Sequence, residues 1–250
     1  VIDDTNATDI FTYTLSGTDA ASFEIVNGQL KLKDSVTADY ETQTSYSVTV
    51  TATDSGGLTD SQSFTVMVND VNEAPTLANA IADQSIDEDS ALSFVVPANT
   101  FNDVDAGDTL TYTATLNDGS ALPSWLSFNA STQTFTGTPL NDDVGVISIT
   151  VTATDGSSVT VSDTFTITIA NTNDAPTAVT LSSVGVPEKI DGAVVGTLTT
   201  TDVDAGDTHT YTLSGTDAAS FVLDGNTLKL KSDLSADYEN KSSYSVMVIA

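Results

Sequence analysis

The chain has 250 residues, 39% of them hydrophobic, which suggests two or three domains with buried cores and argues against wholesale disorder. Thirty-five acids face six bases, all of them lysine, and the net charge of −29 excludes nucleic acid as a partner, disfavours an anionic membrane surface and leaves cations as the natural counter-partners. Cysteine is absent, which removes disulfides, thiolate metal sites and cysteine nucleophiles, and no apolar run nears the roughly 18–20 residues needed to cross a bilayer.

In chain order, the first clear pattern is Tyr46, Val48, Val50 and Ala52 alternating with Ser and Thr, followed by Phe64, Val66 and Val68. The pattern returns in Ile147, Ile149, Val151 and Ala153, and again in Phe165, Ile167 and Ile169. Period two with β-branched residues predicts half-buried strands, and helical periodicity is nowhere sustained. About seven short strands per ~100 residues, separated by Gly, Asn and Asp turns, predict a Greek-key β-sandwich of immunoglobulin-like architecture, ahead of a meander or barrel. Tyr13, Tyr46, Tyr211 and Tyr244 lie on strand patterns as core or cross-strand residues. The only Trp, Trp125, stands in an alternating Leu-Pro-Ser-Trp-Leu-Ser-Phe string that reads as core.

The chain repeats itself. Tyr13–Phe23 recurs unchanged as Tyr211–Phe221, and at that one offset residues 4–52 and 202–250 share 29 identities over 49 positions. Two copies of one module are the only plausible source of such agreement. Asp70-Val-Asn-Glu-Ala-Pro75 and Asn171-Thr-Asn-Asp-Ala-Pro176 are two versions of one connector, 101 residues apart. They set three modules, 1–74, 75–174 and 175–250, arranged end to end. Each connector ends in Ala-Pro, which stiffens the chain and favours extended geometry before the proline.

The acids cluster by position. Asp103-Val-Asp-Ala-Gly-Asp108 recurs as Asp202-Val-Asp-Ala-Gly-Asp207; Asp54 and Asp155 follow strands in Ala-Thr-Asp; Asp39 and Glu41 sit in Ala-Asp-Tyr-Glu. Loops gather at the ends of a sandwich, so acids from three loops converge at each connector. Ca²⁺ takes six to eight oxygens from such groups, whereas crowded carboxylates without a cation repel and raise one another's pKa. The Asp-x-Asp loops are not EF-hands, because they lack Gly at the sixth position and carry Ala114 and Leu213 where Glu belongs. Mg²⁺ fits less well, since it prefers fewer protein ligands.

These strings, in order and spacing, resemble the calcium motifs of the cadherin-repeat family. The first and third modules resemble ordinary cadherin repeats. The middle one, with Leu122–Phe128 and Phe135-Thr-Gly-Thr-Pro139, resembles the dystroglycan-type cadherin-like variety. Mixed arrays of this kind are similar to the extender regions of large bacterial adhesins exported by type I secretion. The resemblance implies calcium ligands at the first joint from Asp39, Glu41, Asp70, Asn72 and Glu73 below and from Asp103, Asp105 and Asp155 above. At the second joint it implies Glu88, Asn171, Asn173 and Asp174, with Asp202 and Asp204 from above. Asp142 and Asp143 stand only loosely where Asp-Tyr-Glu belongs.

Relative to the family, the first module begins at the Asp4-Thr-Asn6 loop without the equivalents of Val179–Ser183 and Ala193–Thr200, and the third stops short of its last strand. The terminal modules are therefore expected to be less stable than the middle one. The start at Val1 without Met or a signal peptide fits a piece of a longer secreted chain. The implied setting is extracellular, on the surface of a cell, in an outer-membrane-associated parent protein. The implied partners are calcium and other cell-surface proteins, without membrane insertion of this segment.

An enzyme is not expected. The single histidine, His209, corresponds to Phe11 in the first module and reads as a strand residue without a special role, and no strand-ending nucleophile accompanies it. Carboxylates repeated in every module are structural rather than a catalytic pair. The alternative function is polysaccharide binding, chiefly by the middle module through Trp125.

Overall fold

The computed structural model describes residues 10–250. The Asp4-Thr-Asn6 loop lies outside the described residues. Among those described, the chain is built from twenty strands and three single-turn 3-10 segments. This bears out the all-β, immunoglobulin-like expectation. No described helix is long and apolar enough to cross a membrane.

The first group of strands comprises β1 (Thr12–Ser16), β2 (Phe23–Val26), β3 (Gln29–Leu32), β4 (Ser45–Thr53) and β5 (Thr59–Met67). Sheet β1-β4-β5 packs on the β2-β3 hairpin. The expected alternation on β4 is present: Tyr46 and Val48 are buried and Ser47 is exposed. Phe23 meets Tyr46 edge-on with ring centroids 5.7 Å apart, and these two residues with Val48 form a small core. Tyr13, paired across the sheet with Ala52, remains 42% exposed, and Phe64 on β5 is 46% exposed. Both are half-exposed, and Tyr13 takes the cross-strand place that its strand pattern allowed.

The middle group runs β6 (Thr76–Leu77), β7 (Gln84–Asp87), β8 (Leu92–Val95), β9 (Phe101–Asn102), β10 (Thr111–Leu116), β11 (Leu126–Asn129), β12 (Thr134–Gly137), β13 (Gly145–Thr154) and β14 (Thr160–Ala170). Sheet β10-β13-β14-β7 faces sheet β11-β12-β8, and the short β6-β9 pair closes one end. Strand β7 lies parallel to β14, joining Gln84–Asp87 to Ile167–Ala170. Between the sheets Phe135, Phe165, Ile149, Ile167 and Val151 are almost completely enclosed. Trp125 packs half-buried against this core instead of standing out as a platform. Gly137 is obligatory here: a Cβ at that position would lie 2.0 Å from the Trp125 carbonyl oxygen, well inside contact distance.

The third group comprises β15 (Ala178–Leu181), β16 (Val194–Thr201), β17 (Thr212–Ser214), β18 (Phe221–Asp224), β19 (Thr227–Leu230) and β20 (Met247–Ile249). Sheet β15-β16-β19-β18 packs on the β17-β20 pair around Phe221, Leu228, Leu230 and Val195.

The repeated sequence folds into repeated structure, and the reason is visible in one side chain. Thr-Asp-Ala-Ala-Ser-Phe makes a 3-10 turn at Ala20–Ser22 and again at Ala218–Ser220. Asp19 accepts the Ser47 N–H at 2.7 Å, and Asp217 accepts the Ser245 N–H at 2.7 Å. The carboxylate thus ties the turn to the strand opposite it and satisfies a backbone donor. Lys241 adds an ion pair to Asp217, where the first copy has Gln43 donating to Asp19. The turn is entered through Gly17 and Gly215, whose φ angles of +104° and +100° suit glycine.

His209 differs from expectation. It lies outside any strand, in the segment before β17, with Nε2 3.7 Å from Asp202 Oδ2.

Candidate metal centre

The two connectors bring carboxylates together as the repeated motifs predict. At the first, Glu41, Asp70, Glu73 and Asp105 each offer an oxygen within 4.8 Å of the others. A second group, Asp103, Asp105 and Asp108, meets the same limit and shares Asp105. These side chains come from the loop before β4, the segment after β5 and the loop between β9 and β10. At the second connector the group is Glu88, Asp174 and Asp204.

Local hydrogen bonds explain the placement. Glu73 N–H donates to Asp105 Oδ2 at 2.9 Å, and Asp174 N–H donates to Asp204 Oδ2 at 2.5 Å, so each connector is seated on the second aspartate of the Asp-x-Asp loop. Both loops are braced alike: the Asp105 and Asp204 N–H groups donate to Asp103 and Asp202, each at 3.1 Å. Asn72 reaches Asp155 Oδ2 at 3.0 Å. Asp155, only 5% exposed, also accepts the Ser157 and Val159 N–H groups. Asn171 reaches Asp204 Oδ1 at 2.8 Å, and Asn173 donates to the Asp174 carbonyl oxygen at 3.0 Å.

The electrostatics divide the acids into two sets. The hydrogen bond from the Asn72 amide holds the Asp155 carboxyl below its ordinary range, with backbone donors helping and burial opposing. Asp204 is lowered by the Asp174 N–H and then by Asn171. Glu73 is raised, first by its side-chain hydrogen bond with Asp105, then by burial and the charges of Glu41, Asp105 and Asp70. Burial raises Asp174, with further pressure from Asp89, Asp204 and Asp202. Acids that resist ionisation this way lack a compensating positive charge.

Three carboxylate oxygens bear directly on what fits there. Glu88 is 1% exposed, and its Oε1 takes the Thr172 N–H at 2.8 Å, yet its Oε2 has no partner. Asp103 Oδ2 and Asp105 Oδ1 are likewise buried and unpartnered, as is the more distant Thr100 hydroxyl. A buried carboxylate oxygen left without a donor costs about 1–3 kcal/mol or more. Among the described residues no ion pair joins a lysine to either cluster: those of Lys31, Lys189, Lys229 and Lys241 are made elsewhere. An all-oxygen set, partly buried and rich in carboxylate, suits a hard divalent cation of the size of Ca²⁺.

Not every expected ligand joins a group. Asp39 turns its Oδ1 back to the Thr42 N–H at 2.9 Å and lines the open cleft beside Glu41 and Glu73. Asp202 pairs with His209. Asp142 and Asp143 belong to the 3-10 turn Asn141–Asp143, where Asp143 accepts the Leu140 N–H at 2.9 Å. Two features went beyond the sequence-level ligand set. Asp108 joins the Asp103 group, although its Asp-Val-Asp-Ala-Gly-Asp loop was plain in the sequence. Glu188, Asp237 and Glu239 form a third, exposed group. Its signal was the copying of Asp39-Tyr-Glu41 as Asp237-Tyr-Glu239.

Against known proteins, a family described as "Putative Ig domain" matches residues 74–170. Cadherin-related family member 2 of Mus musculus is 28% identical over an alignment covering 100% of this chain and 22% of that protein. Protocadherin-like wing polarity protein stan of Drosophila melanogaster is 30% identical over 90% of the chain and 7% of its own length. The chain thus spans under a quarter of these curated relatives. Among solved structures, PcdhgB3 EC1-4 superposes with a TM-score of 0.69 at 24% identity, covering 95% of this chain and 61% of that one. Mouse Cadherin-23 EC22-24 gives 0.64 at 20% identity, covering 94% and 80%. Fold and sequence together define a run of immunoglobulin-like β-sandwich repeats. Those repeats are cadherin-like, as the motifs in the connectors and loops implied.

Proposed function

We propose that this chain is a calcium-stiffened spacer of an extracellular adhesion protein, with modules 1–74, 75–174 and 175–250 joined by Ca²⁺ at residues of both connectors. The observation that carries this reading is the set of buried, unpartnered carboxylate oxygens on Glu88, Asp103 and Asp105, each belonging to an acidic group at a connector. A cation there supplies the positive charge that the clusters lack and ties neighbouring modules through shared ligands. Glu41, Asp70, Glu73, Asp103, Asp105, Asp108 and Asp155, with Asn72, would serve the first joint. Glu88, Asn171, Asn173, Asp174, Asp202 and Asp204 would serve the second, with Asp39 flanking the first. Extracellular modules bind calcium at about 10⁻⁴–10⁻³ M, the range expected here.

The net charge of −29 and the hydroxyl-rich sheet faces support a soluble, exposed setting. Thr49 with Ser63, Thr51 with Ser61, Thr150 with Thr164 and Thr152 with Ser162 pair across the strands. The adhesive reading rests on likeness to cadherin-related proteins, and a type I-secreted surface adhesin, associated with an outer membrane, is the parent we infer.

Small-angle scattering in millimolar calcium and then in excess chelator tests the reading. A long, sharply bounded maximum dimension that broadens on chelation is the expected result. A profile indifferent to calcium would overturn the spacer mechanism and leave the acids as surface solvation.

A further inference from the structure

The two joints are not equivalent. We infer that the first joint takes calcium at lower concentration than the second, and that Asn171 and the Asn141–Asp143 turn are the reason. This rests on the calcium reading above and refines it.

The connectors differ at their first position. Asp70 is an acid whose carboxylate stands in the group with Glu41, Glu73 and Asp105. Its counterpart, Asn171, is a neutral amide whose Nδ2 donates to Asp204 Oδ1 at 2.8 Å. One acidic ligand of the first joint is thereby replaced by a group that occupies an oxygen of the second. The loops below the joints differ as well. In the first module the loop before β4 carries Glu41 into the cluster. In the middle module the segment before β13 is the Asn141–Asp143 turn. Asp143 spends its Oδ2 on the Leu140 N–H at 2.9 Å, capping its own turn, and Asn141 Nδ2 donates to Asn171 Oδ1 at 3.4 Å. Neither Asp142 nor Asp143 joins the cluster.

The result is a group of four carboxylates at the first joint, beside the Asp103 group that shares Asp105, and a single group of three at the second. Asp89 adds negative potential beside Asp174 but offers no ligand atom to that group. The position corresponding to Asp155 falls past residue 250, so the contrast rests on the pairs 70/171 and 41/142. Both joints nonetheless hold a buried carboxylate oxygen without a partner: Asp105 Oδ1 at the first and Glu88 Oε2, on a side chain 1% exposed, at the second. The second joint is therefore a weaker site. Calcium affinity in oxygen-ligand sites is tuned by ligand charge and site rigidity, and the smaller carboxylate set is expected to raise the filling midpoint about tenfold. Between the two midpoints the first joint is fixed while the second still swings, so calcium concentration sets a hinge after the middle module.

The absence of cysteine permits clean labelling. Ser35→Cys with Ser131→Cys spans the first joint, and Ser131→Cys with Ser232→Cys spans the second; all three positions are exposed. Each pair carries spin labels, and the width of the distance distribution is followed through a calcium titration. The first pair should narrow at about tenfold lower calcium than the second. Asn171→Asp should pull the second midpoint toward the first, and Asp70→Asn should push the first midpoint up. Circular dichroism of both isosteric variants checks that they fold. If both pairs narrow together and the exchanges move nothing, the inequality is overturned while calcium binding stands. If neither pair narrows at any calcium concentration, the calcium reading falls and this inference with it.

Discussion

The first and middle sandwiches carry the same strand pattern and pack it to different depths. Phe165 on β14 is 1% exposed, whereas Phe64 on β5, at the matching place in the strand pair, is 46% exposed. Val151 is fully enclosed, whereas its counterpart Val50 lines an open groove with Tyr13, Ile25 and Leu30. Among the described residues the middle core holds twelve buried apolar side chains and the first holds three. Among the described residues the difference lies in what covers the sheet. In the middle sandwich Ile81, Leu92, Val96 and Phe101 belong to the core formed over the strands. Alternation makes a strand half-apolar, but burial requires a second layer over it.

That comparison breaks most sharply at Phe135, which is fully enclosed and ringed by Phe94, Phe128 and Phe165. Phe135→Ala should cost about 3–5 kcal/mol through lost burial and a residual cavity. Trp125, the only tryptophan, packs on the same core, so its fluorescence reads middle-sandwich unfolding alone in a urea titration. A loss under about 1 kcal/mol would mean the middle core is no better packed than the first.

A smaller effect is expected at Asp163, which accepts the Ile81 N–H at 2.6 Å and so fastens the covering segment to β14. Asp163→Ala should cost about 2 kcal/mol by leaving that N–H without its charged partner, read by the same fluorescence midpoint. Smaller again is Phe64→Ala in the first sandwich, about 1 kcal/mol, since nearly half of that side chain is already in water. Circular dichroism is the readout there, with Trp125 emission unmoved. An equal effect of Phe64→Ala and Phe135→Ala would erase the contrast.

The least of the expected effects concerns pH, and the two sets of acids pull in opposite directions. Asp83 is lowered from its ordinary 3.8 by the Thr166 N–H and hydroxyl, and Asp217 by Lys241 and the Ser245 N–H. A depressed folded-state pKa gives stability that is present above 3.8 and lost as pH falls through the folded value. Glu73 and Asp174 are raised above 4.5 and 3.8 respectively. Their folded-state contribution is present below those values and lost as pH rises through the folded ones. Chelated protein should therefore gain slightly in melting temperature as pH falls through the raised values of Glu73 and Asp174, then lose it as pH falls on through the lowered values of Asp83 and Asp217. A steady fall from pH 7 downward in chelator would show that Glu73 and Asp174 are not strained at neutral pH.

Much of this was legible in the residues. The period of two placed β4, β5, β13 and β14, because alternation across a pleat is a local property. The repeated Tyr13–Phe23 string marked two copies of one module, and the turn repeats with it because Asp19 and Asp217 act within one short stretch and its facing strand. The repeated connectors pointed to both acidic clusters before any geometry was known.

What the tertiary structure decided was which oxygens meet and which residues are covered. Asp39 and Asp70 read alike in the sequence, yet Asp70 converges with Glu41 and Glu73, whereas Asp39 bonds to its own turn. Asp108 entered a cluster because of where its loop folds. His209 fell outside a strand and beside Asp202. Composition and periodicity determine which chemistry a chain can bring to a place, since they are properties of neighbours along the backbone. Convergence of side chains from separate loops, and the burial that leaves Glu88 with an unpartnered oxygen, depend on distances through space, which only the packed sandwiches set.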